Sequence, residues 1–212
     1  MSNDSNKAIK STDDLIFNFV FIESMDDATK QKAYNCKKAW LKKPDNFPKS
    51  TSALKSIINS ILKGKFKEQT EYDKEFIRVA HIICDEINDK KEDYYIPFRF
   101  GNAQKLINMV IKHYYIVSYN NSDIKKHFEF CHCPMDRKLL MKVWNEYKKE
   151  FSKKPSQNCN NQDEFSDSWG SLDFKDDKYP ERYNEFQNAV KELSEQENIS
   201  RLEYDFKEWN ND

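Results

Sequence analysis

A chain of 212 residues is long enough to bury a substantial core, and its 15 Phe, 11 Tyr and 4 Trp supply much of the apolar area. Only 3 Gly and 6 Pro argue against a turn-rich β fold and against a glycine-rich phosphate loop. The net charge of −1 hides an uneven distribution along the chain, and no apolar run approaches the roughly 20 residues that cross a bilayer, so we predict no membrane span.

Helical patterns fill the first ninety residues. Ser11 begins a helix in which Asp14 can reach back to the cap, and a second helix is predicted over residues 26–43. In residues 50–64 and 70–90, apolar side chains recur at the spacing of one helix face. These patterns predict four helices in this part of the chain.

The rest of the chain continues the helical pattern with two interruptions. The predicted elements are a turn over residues 93–101, a helix over 102–115, an irregular or short helical stretch over 120–133, a helix over 135–151, a polar loop or linker over 155–178, and helices over 180–198 and 200–210. On the helix over 102–115, Gln104, Lys105, Asn108 and Lys112 fall mostly on the polar side, opposite an apolar stripe.

This pattern predicts an all-α fold in a compact multi-helix single domain, with two helical lobes around a cleft as the alternative. Residues 1–154 are predicted to form a helical core that includes a basic motif region over residues 97–154. The linker over 155–178 then leads to acidic C-terminal helices over 179–212, which we expect to pack on the core.

Charge is distributed unevenly between these parts. Residues 97–154 contain 12 Lys and Arg against 5 Asp and Glu, whereas residues 155–212 contain 6 against 15. A local basic surface on a nearly neutral chain is typical of proteins that bind DNA or another polyanion. The alternative is that the acidic C-terminal part packs against the basic middle and cancels its charge.

One lysine in the basic segment lies near a helix start. Lys105 is in the first turn of its predicted helix, where the macrodipole and free backbone N–H groups attract anions and disfavour a protonated amine. Asp136 opens a later helix. An amine with a lowered pKa can act as a nucleophile, and a neighbouring carboxylate can accept or relay its proton. These groups are the ones required to attack a sugar C1′ and release the base of a flipped nucleotide through a Schiff base.

Three short motifs follow one another in this region. Gly101 precedes the run Lys105-Leu-Ile-Asn108, and Pro134-Met-Asp136 comes later at a helix start. Their order resembles that in the helix-hairpin-helix DNA glycosylases of the endonuclease III type. The resemblance implies a base-excision DNA glycosylase and lyase, a hydrolase of DNA repair, in which Lys105 is the nucleophile and Asp136 the catalytic aspartate.

The motifs and the basic segment together predict which residues contact nucleic acid. These residues are Arg99, Gly101, Gln104, Asn108, Lys112, Lys125, Lys126, Arg137 and Lys138. DNA is then the predicted partner.

A second hypothesis is a non-enzymatic helical interaction or regulatory protein, of a host or a phage, whose acidic C-terminal region contacts a protein partner. In that case Asp136 only caps its helix and Lys105 is solvated. The relative position of the two side chains distinguishes the hypotheses, because a shared basic cleft favours catalysis.

The five cysteines are irregularly spaced, which favours reduced thiols and a cytoplasmic protein. Cys131-His132-Cys133 could ligate zinc together with Cys159, but ligands so close in sequence rarely chelate one ion well. We therefore predict no metal and no cofactor.

Overall fold

The computed structural model describes residues 11–29, 39–89, 97–167, 169–176 and 179–210. The all-α prediction is confirmed, because these residues form nine α-helices and short 3-10 turns with no strand. The helices are α1 (Thr12–Thr29), α2 (Pro48–Leu62), α3 (Gln69–Asp89), α4 (Phe100–Ser118), α5 (Ser122–Lys125), α6 (Arg137–Phe151), α7 (Gln162–Asp167), α8 (Glu181–Gln196) and α9 (Arg201–Asn210). None of these helices is long and apolar enough to cross a membrane.

Two of the predicted elements extend beyond the residues that the structure describes. The helix predicted over 26–43 includes residues 30–38, which lie outside the described residues. Its beginning belongs to α1, and its end contains the 3-10 turn Ala39–Lys42. Residues 93–96 of the predicted turn also lie outside the described residues, and Pro97–Arg99 are not helical.

The helix caps explain why several helices begin where the sequence predicts. The backbone N–H of Asp14 donates to Ser11 Oγ at 3.2 Å, and that hydroxyl donates to Asp14 Oδ2 at 2.9 Å. Asp136 caps α6, because its Oδ1 accepts a hydrogen bond from the backbone N–H of Leu139 at 2.9 Å. These contacts satisfy N–H groups that have no partner within the first turn of a helix.

α4 is the central helix and is buried on nearly every side. It packs against α1 and α3 on its apolar side. The opposite side, predicted to be polar, is also buried, since Gln104, Lys105, Asn108 and Lys112 are at most 7 % exposed. Residues 130–136 and helices α8 and α9 cover these four side chains.

Residues 130–136 pass through the core without regular secondary structure, and Cys131 to Asp136 are all buried. Their backbone hydrogen bonds come largely from side-chain amides. Gln187 of α8 accepts from Cys133 N at 3.0 Å and donates to Cys133 O at 2.8 Å. Gln104 of α4 accepts from Met135 N at 3.1 Å and donates to Met135 O at 2.9 Å. Each glutamine thus replaces the peptide group of a neighbouring strand.

The segment over 155–178, predicted as a polar loop or linker, contains more structure than that. Its described residues include α7 and the 3-10 turn Trp169–Ser171, and α7 packs on α6. Cys159, Phe165 and Trp169 are buried in the core. These few apolar side chains hold the segment against the core. They are widely and irregularly spaced in a polar sequence, so their spacing does not predict a helix.

Gly101 lies inside the first turn of α4 rather than in a turn before it. A Cβ at this position would lie 1.9 Å from the carbonyl oxygen of Trp169, and the backbone N–H of Gly101 donates to Leu172 O at 3.0 Å. The glycine therefore allows residues 169–172 to approach α4 closely, which is a packing role.

We expect Gln187→Met to lower the free energy of unfolding by about 2–4 kcal/mol, because it leaves the buried N–H and C=O of Cys133 without this partner. Urea unfolding measures the change. The matched control is Gln162→Met, which removes one half-exposed amide bond to Met141 O and should change stability by less than about 1 kcal/mol. Equal effects of the two substitutions would contradict this account of residues 130–136.

Candidate functional site

Lys105 and Asp136 are in direct contact. Lys105 Nζ lies 2.6 Å from Asp136 Oδ2, and the two side chains are only 7 % and 11 % exposed. α4 supplies the lysine, and the N-cap of α6 supplies the aspartate. The two residues that the motif order singled out are thus in contact, but they meet in the core and not in an open cleft.

The electrostatics of Asp136 are those of a buried ion pair. Burial raises the pKa of its carboxyl group, but the ammonium of Lys105 and the N–H of Leu139 stabilise the carboxylate, and the resulting pKa is lowered. The carboxylate is therefore ionised at neutral pH. In this ion pair Lys105 is an ammonium group that donates to the Asp136 carboxylate, and an ammonium nitrogen has no lone pair for nucleophilic attack.

A second buried pair lies two turns further along α4. Lys112 Nζ is 2.5 Å from Asp205 Oδ2 of α9, and the side chains are 9 % and 1 % exposed. The ammonium also lies 4.7 Å from the ring centre of Phe206 and 4.9 Å from that of Trp209. Burial raises the pKa of Asp205, and its Oδ1 has no hydrogen-bond partner. The two aspartates thus have pKa shifts of opposite direction.

His132 belongs to a chain of hydrogen bonds beside these pairs. Its Nε2 lies 2.9 Å from Asp73 Oδ1, and its Nδ1 lies 2.9 Å from the hydroxyl of Tyr183, which in turn accepts from Asn108 Nδ2 at 3.2 Å. Burial lowers the pKa of His132 to about 4. The imidazole is therefore neutral at pH 7, and both of its nitrogens are used inside the protein.

The cysteines on either side of His132 are buried thiols. Burial raises the pKa of both Cys131 and Cys133, which disfavours the thiolate that a zinc ion requires. Among the described residues, no group of three or more His, Cys, Asp or Glu side chains is placed to hold a metal ion.

The residues predicted to contact nucleic acid do not form one surface. Gln104, Asn108 and Lys112 are buried beside Lys105, and Gly101 packs against Trp169. The others lie before α4, in α5 and the 3-10 turn after it, and at the start of α6. Arg99 lies 3.8 Å from Asp173, Lys125 lies 2.7 Å from Glu203, Lys126 lies 3.2 Å from Asp123, and Arg137 and Lys138 are exposed in the first turn of α6.

The acidic C-terminal part forms ion pairs with the basic segment. The pairs are Arg99–Asp173, Lys112–Asp205, Lys125–Glu203, Lys142–Glu208 and Lys153–Glu192. Of the two interpretations of the charge asymmetry, these contacts favour the one in which the two parts neutralise each other.

Access to the Lys105–Asp136 pair is narrow. A depression beside Asp136 is lined by Lys138, Lys142, Glu208 and Trp209, and its volume is about 10 Å³. Pockets that enclose a small organic ligand typically measure roughly 300–1,000 Å³. The end of α9 therefore covers the aspartate, and a nucleotide has no room beside it in this conformation.

Comparisons of the chain with protein-family models, with curated proteins and with solved structures found no match.

Three side chains that contact Lys112, Cys133 and His132 were not predicted from the sequence. Asp205, Gln187 and Asp73 looked like ordinary polar positions on amphipathic helices. Lys105, Asn108 and Lys112 recur on one face of a helix whose opposite face is apolar, and an ordinary amphipathic surface helix has the same pattern, so the spacing gives no signal of their burial.

We expect Lys105→Met and Asp136→Asn each to lower the free energy of unfolding by about 3–5 kcal/mol, because each leaves one buried charge unpaired. Asn can still cap α6. The double variant should lose less than the sum, with a coupling energy of about 1–3 kcal/mol in urea unfolding. Single variants that each lose under about 1 kcal/mol would show that the pair is not part of the core.

The stability of the protein should fall as the pH falls from 6.5 to 4 because of His132. In this range the unfolded chain takes up a proton at His132, whose ordinary pKa is 6.5, whereas the folded form, with a pKa of about 4, does not. The contribution is complete above pH 6.5, and its slope is at most about 1.4 kcal/mol per pH unit.

His132→Gln keeps a neutral hydrogen-bonding side chain but cannot titrate. Urea unfolding at a series of pH values should therefore show a shallower loss of stability for His132→Gln than for the unaltered chain. Parallel curves for the two proteins between pH 6.5 and 4 would contradict the assignment of this slope to His132.

Proposed function

We propose that this chain is a non-enzymatic helical interaction protein and that the Lys105–Asp136 pair serves its core. The observation that carries the proposal is an apolar stripe on the outer face of α1. Leu15 and Phe19 are 57 % and 64 % exposed, and Ile22, one turn further on, is half-buried. The three positions have the i, i+4, i+7 spacing of one helix face.

α1 does not need this stripe to pack against the rest of the protein. Its inner face already buries Phe17, Val20, Phe21, Met25 and Ala28. An amphipathic surface helix normally carries polar residues on the opposite face. A second apolar row on the outer face is typical of a helix that binds a partner.

The charges on α1 indicate the chemistry of that partner. Between Thr12 and Thr29 the helix has five acidic residues and no Lys or Arg. Asp13 and Glu23 are exposed beside the stripe. Electrostatic complementarity therefore favours a protein segment that is an amphipathic helix with an apolar face and basic flanks.

A synthetic amphipathic helix with a leucine face and lysine flanks tests this proposal. We expect it to bind the full chain measurably in isothermal titration, and the variant Leu15→Ala/Phe19→Ala to bind at least about tenfold more weakly, since two exposed anchors are lost. The control is Trp209→Ala, which removes an exposed aromatic side chain from α9. Equal binding of a peptide with glutamate flanks, or no effect of the double substitution, would contradict the proposal.

The base-excision hypothesis is the second candidate, and one observation favours it. Lys105 Nζ and Asp136 Oδ2 are 2.6 Å apart, which is the proximity that a lysine nucleophile and its carboxylate need. For a flipped nucleotide to reach them, Glu208 and Trp209 at the end of α9 must move away, because these residues line the depression beside Asp136.

Borohydride trapping on a panel of damaged and modified DNA bases distinguishes the two candidates. A covalent adduct that is lost in Lys105→Gln supports the base-excision hypothesis, because only an imine with the lysine is reduced and trapped. No adduct, together with salt-dependent DNA binding that is unchanged when Lys125, Lys126 and Arg137 are all replaced by Glu, supports the interaction protein.

A further inference from the structure

A groove with aromatic walls lies between the end of α4 and α9. Its volume is about 520 Å³, and it is lined by Tyr115, Ile116, Tyr119, Asn120, Glu203 and Phe206. Three of these side chains are aromatic rings and one is a carboxylate. None of these lining residues belongs to the apolar stripe on α1.

The three rings are held in a fixed arrangement. Tyr115 and Phe206 are stacked with their ring centres 5.5 Å apart, and Tyr115 and Tyr119 meet edge to face at 6.0 Å. Tyr115 is buried, whereas Tyr119 is 59 % exposed. One ring is thus anchored in the core and another is open to a ligand from solvent.

Glu203 places a permanent negative charge at this groove. Burial raises the pKa of its carboxyl group, but hydrogen bonds from Lys125, from Ser200 and from the Tyr115 hydroxyl outweigh burial and hold the pKa at about 2. Its Oε1 accepts from Tyr115 at 2.7 Å, and its Oε2 accepts from the N–H of Ser200 at 2.9 Å. Both oxygens of the carboxylate already accept hydrogen bonds. Its negative charge can therefore attract a further ligand, although it has little capacity to accept another hydrogen bond.

A cation of the chain itself already lies at the groove. Lys125 Nζ is 2.7 Å from Glu203 Oε1, and it lies 5.2 Å from the ring centre of Tyr119 and 6.0 Å from that of Tyr115. These are the distances of an ion pair and of cation–π contacts. Lys125 comes from the four-residue helix α5, and its side chain is 37 % exposed, so it can leave without disturbing the core.

We propose that this groove binds an alkylated ammonium group, such as that of a methylated lysine in a partner protein, and that Lys125 occupies the site until the ligand displaces it. Aromatic faces attract a cation through their quadrupoles, and the attraction is strongest for a weakly hydrated cation. A quaternary ammonium needs no hydrogen-bond acceptor, which suits a carboxylate whose oxygens are already used. A primary ammonium such as that of Lys125 is better hydrated and is the weaker competitor.

Titration of the full chain with a trimethyllysine peptide tests the proposal, with tyrosine ring signals in NMR as the readout. We expect saturable binding that shifts Tyr119, and binding about tenfold weaker for Tyr119→Ala, which loses the exposed wall. Lys125→Gln should bind several-fold more tightly, because the internal competitor is gone. The matched control is Val117→Ala, an equally exposed position on α4 that lies outside the groove and should not change binding.

A neutral isostere separates a cation site from a simple apolar groove. The same peptide carrying a tert-butyl group in place of the trimethylammonium has nearly the same shape but no charge, and it should bind at least about tenfold more weakly. Equal binding of the two peptides would overturn the proposal. Absence of saturable binding at millimolar peptide to Lys125→Gln, with its folding checked by circular dichroism, would overturn it as well, since that variant lacks the internal competitor.

Discussion

The pairing of two glutamine side chains with a buried stretch of backbone determines much of this architecture. Residues 130–136 run through the core without helix or strand, and a buried peptide group without a hydrogen-bond partner is strongly destabilising. Gln104 from α4 and Gln187 from α8 supply those partners from two sides. The requirement fixes the distance between the two helices, and it places the N-cap of α6 directly beside α4. The contact between Lys105 and Asp136 is a consequence of that geometry.

Buried ion pairs contribute more to the choice of one structure than to its stability. Removing two charges from water offsets much of their attraction, so a pair such as Lys112–Asp205 adds little net free energy, while losing one partner is costly. The pairs nevertheless specify which helices meet, because α9 can dock on α4 in this register only with Asp205 beside Lys112. The acidic C-terminal part thus forms ion pairs with the basic segment and neutralises part of its charge. Neutralisation inside the molecule removes much of the basic surface that a polyanion would need.

The Lys105–Asp136 and Lys112–Asp205 pairs are buried in the core, whereas two other features are open to solvent. The outer stripe of α1 and the groove at Tyr119 both present apolar side chains beside carboxylates. The ligands proposed for the two features differ in what would be recognised: a helix face in one case and a single ammonium group in the other. At the second site the chain's own Lys125 pairs with Glu203 and lies within cation–π distance of Tyr119.

Local signals in the sequence determined the helical class and several helix starts. Apolar side chains with helical spacing predicted α2, α3, α6 and α8, and the caps at Ser11 and Asp136 need only residues within one turn. The pairing of Lys105 with Asp136 was suggested by a motif order, but its burial was not. Polarity along α4 indicates which side chains prefer water, and it carries no information about partners 31 or more residues away, such as Met135 for Gln104. Tertiary structure alone decided that the polar side of α4 faces inward, because only the folded chain brings the backbone of residues 130–136 and the carboxylate of Asp205 close enough to replace water.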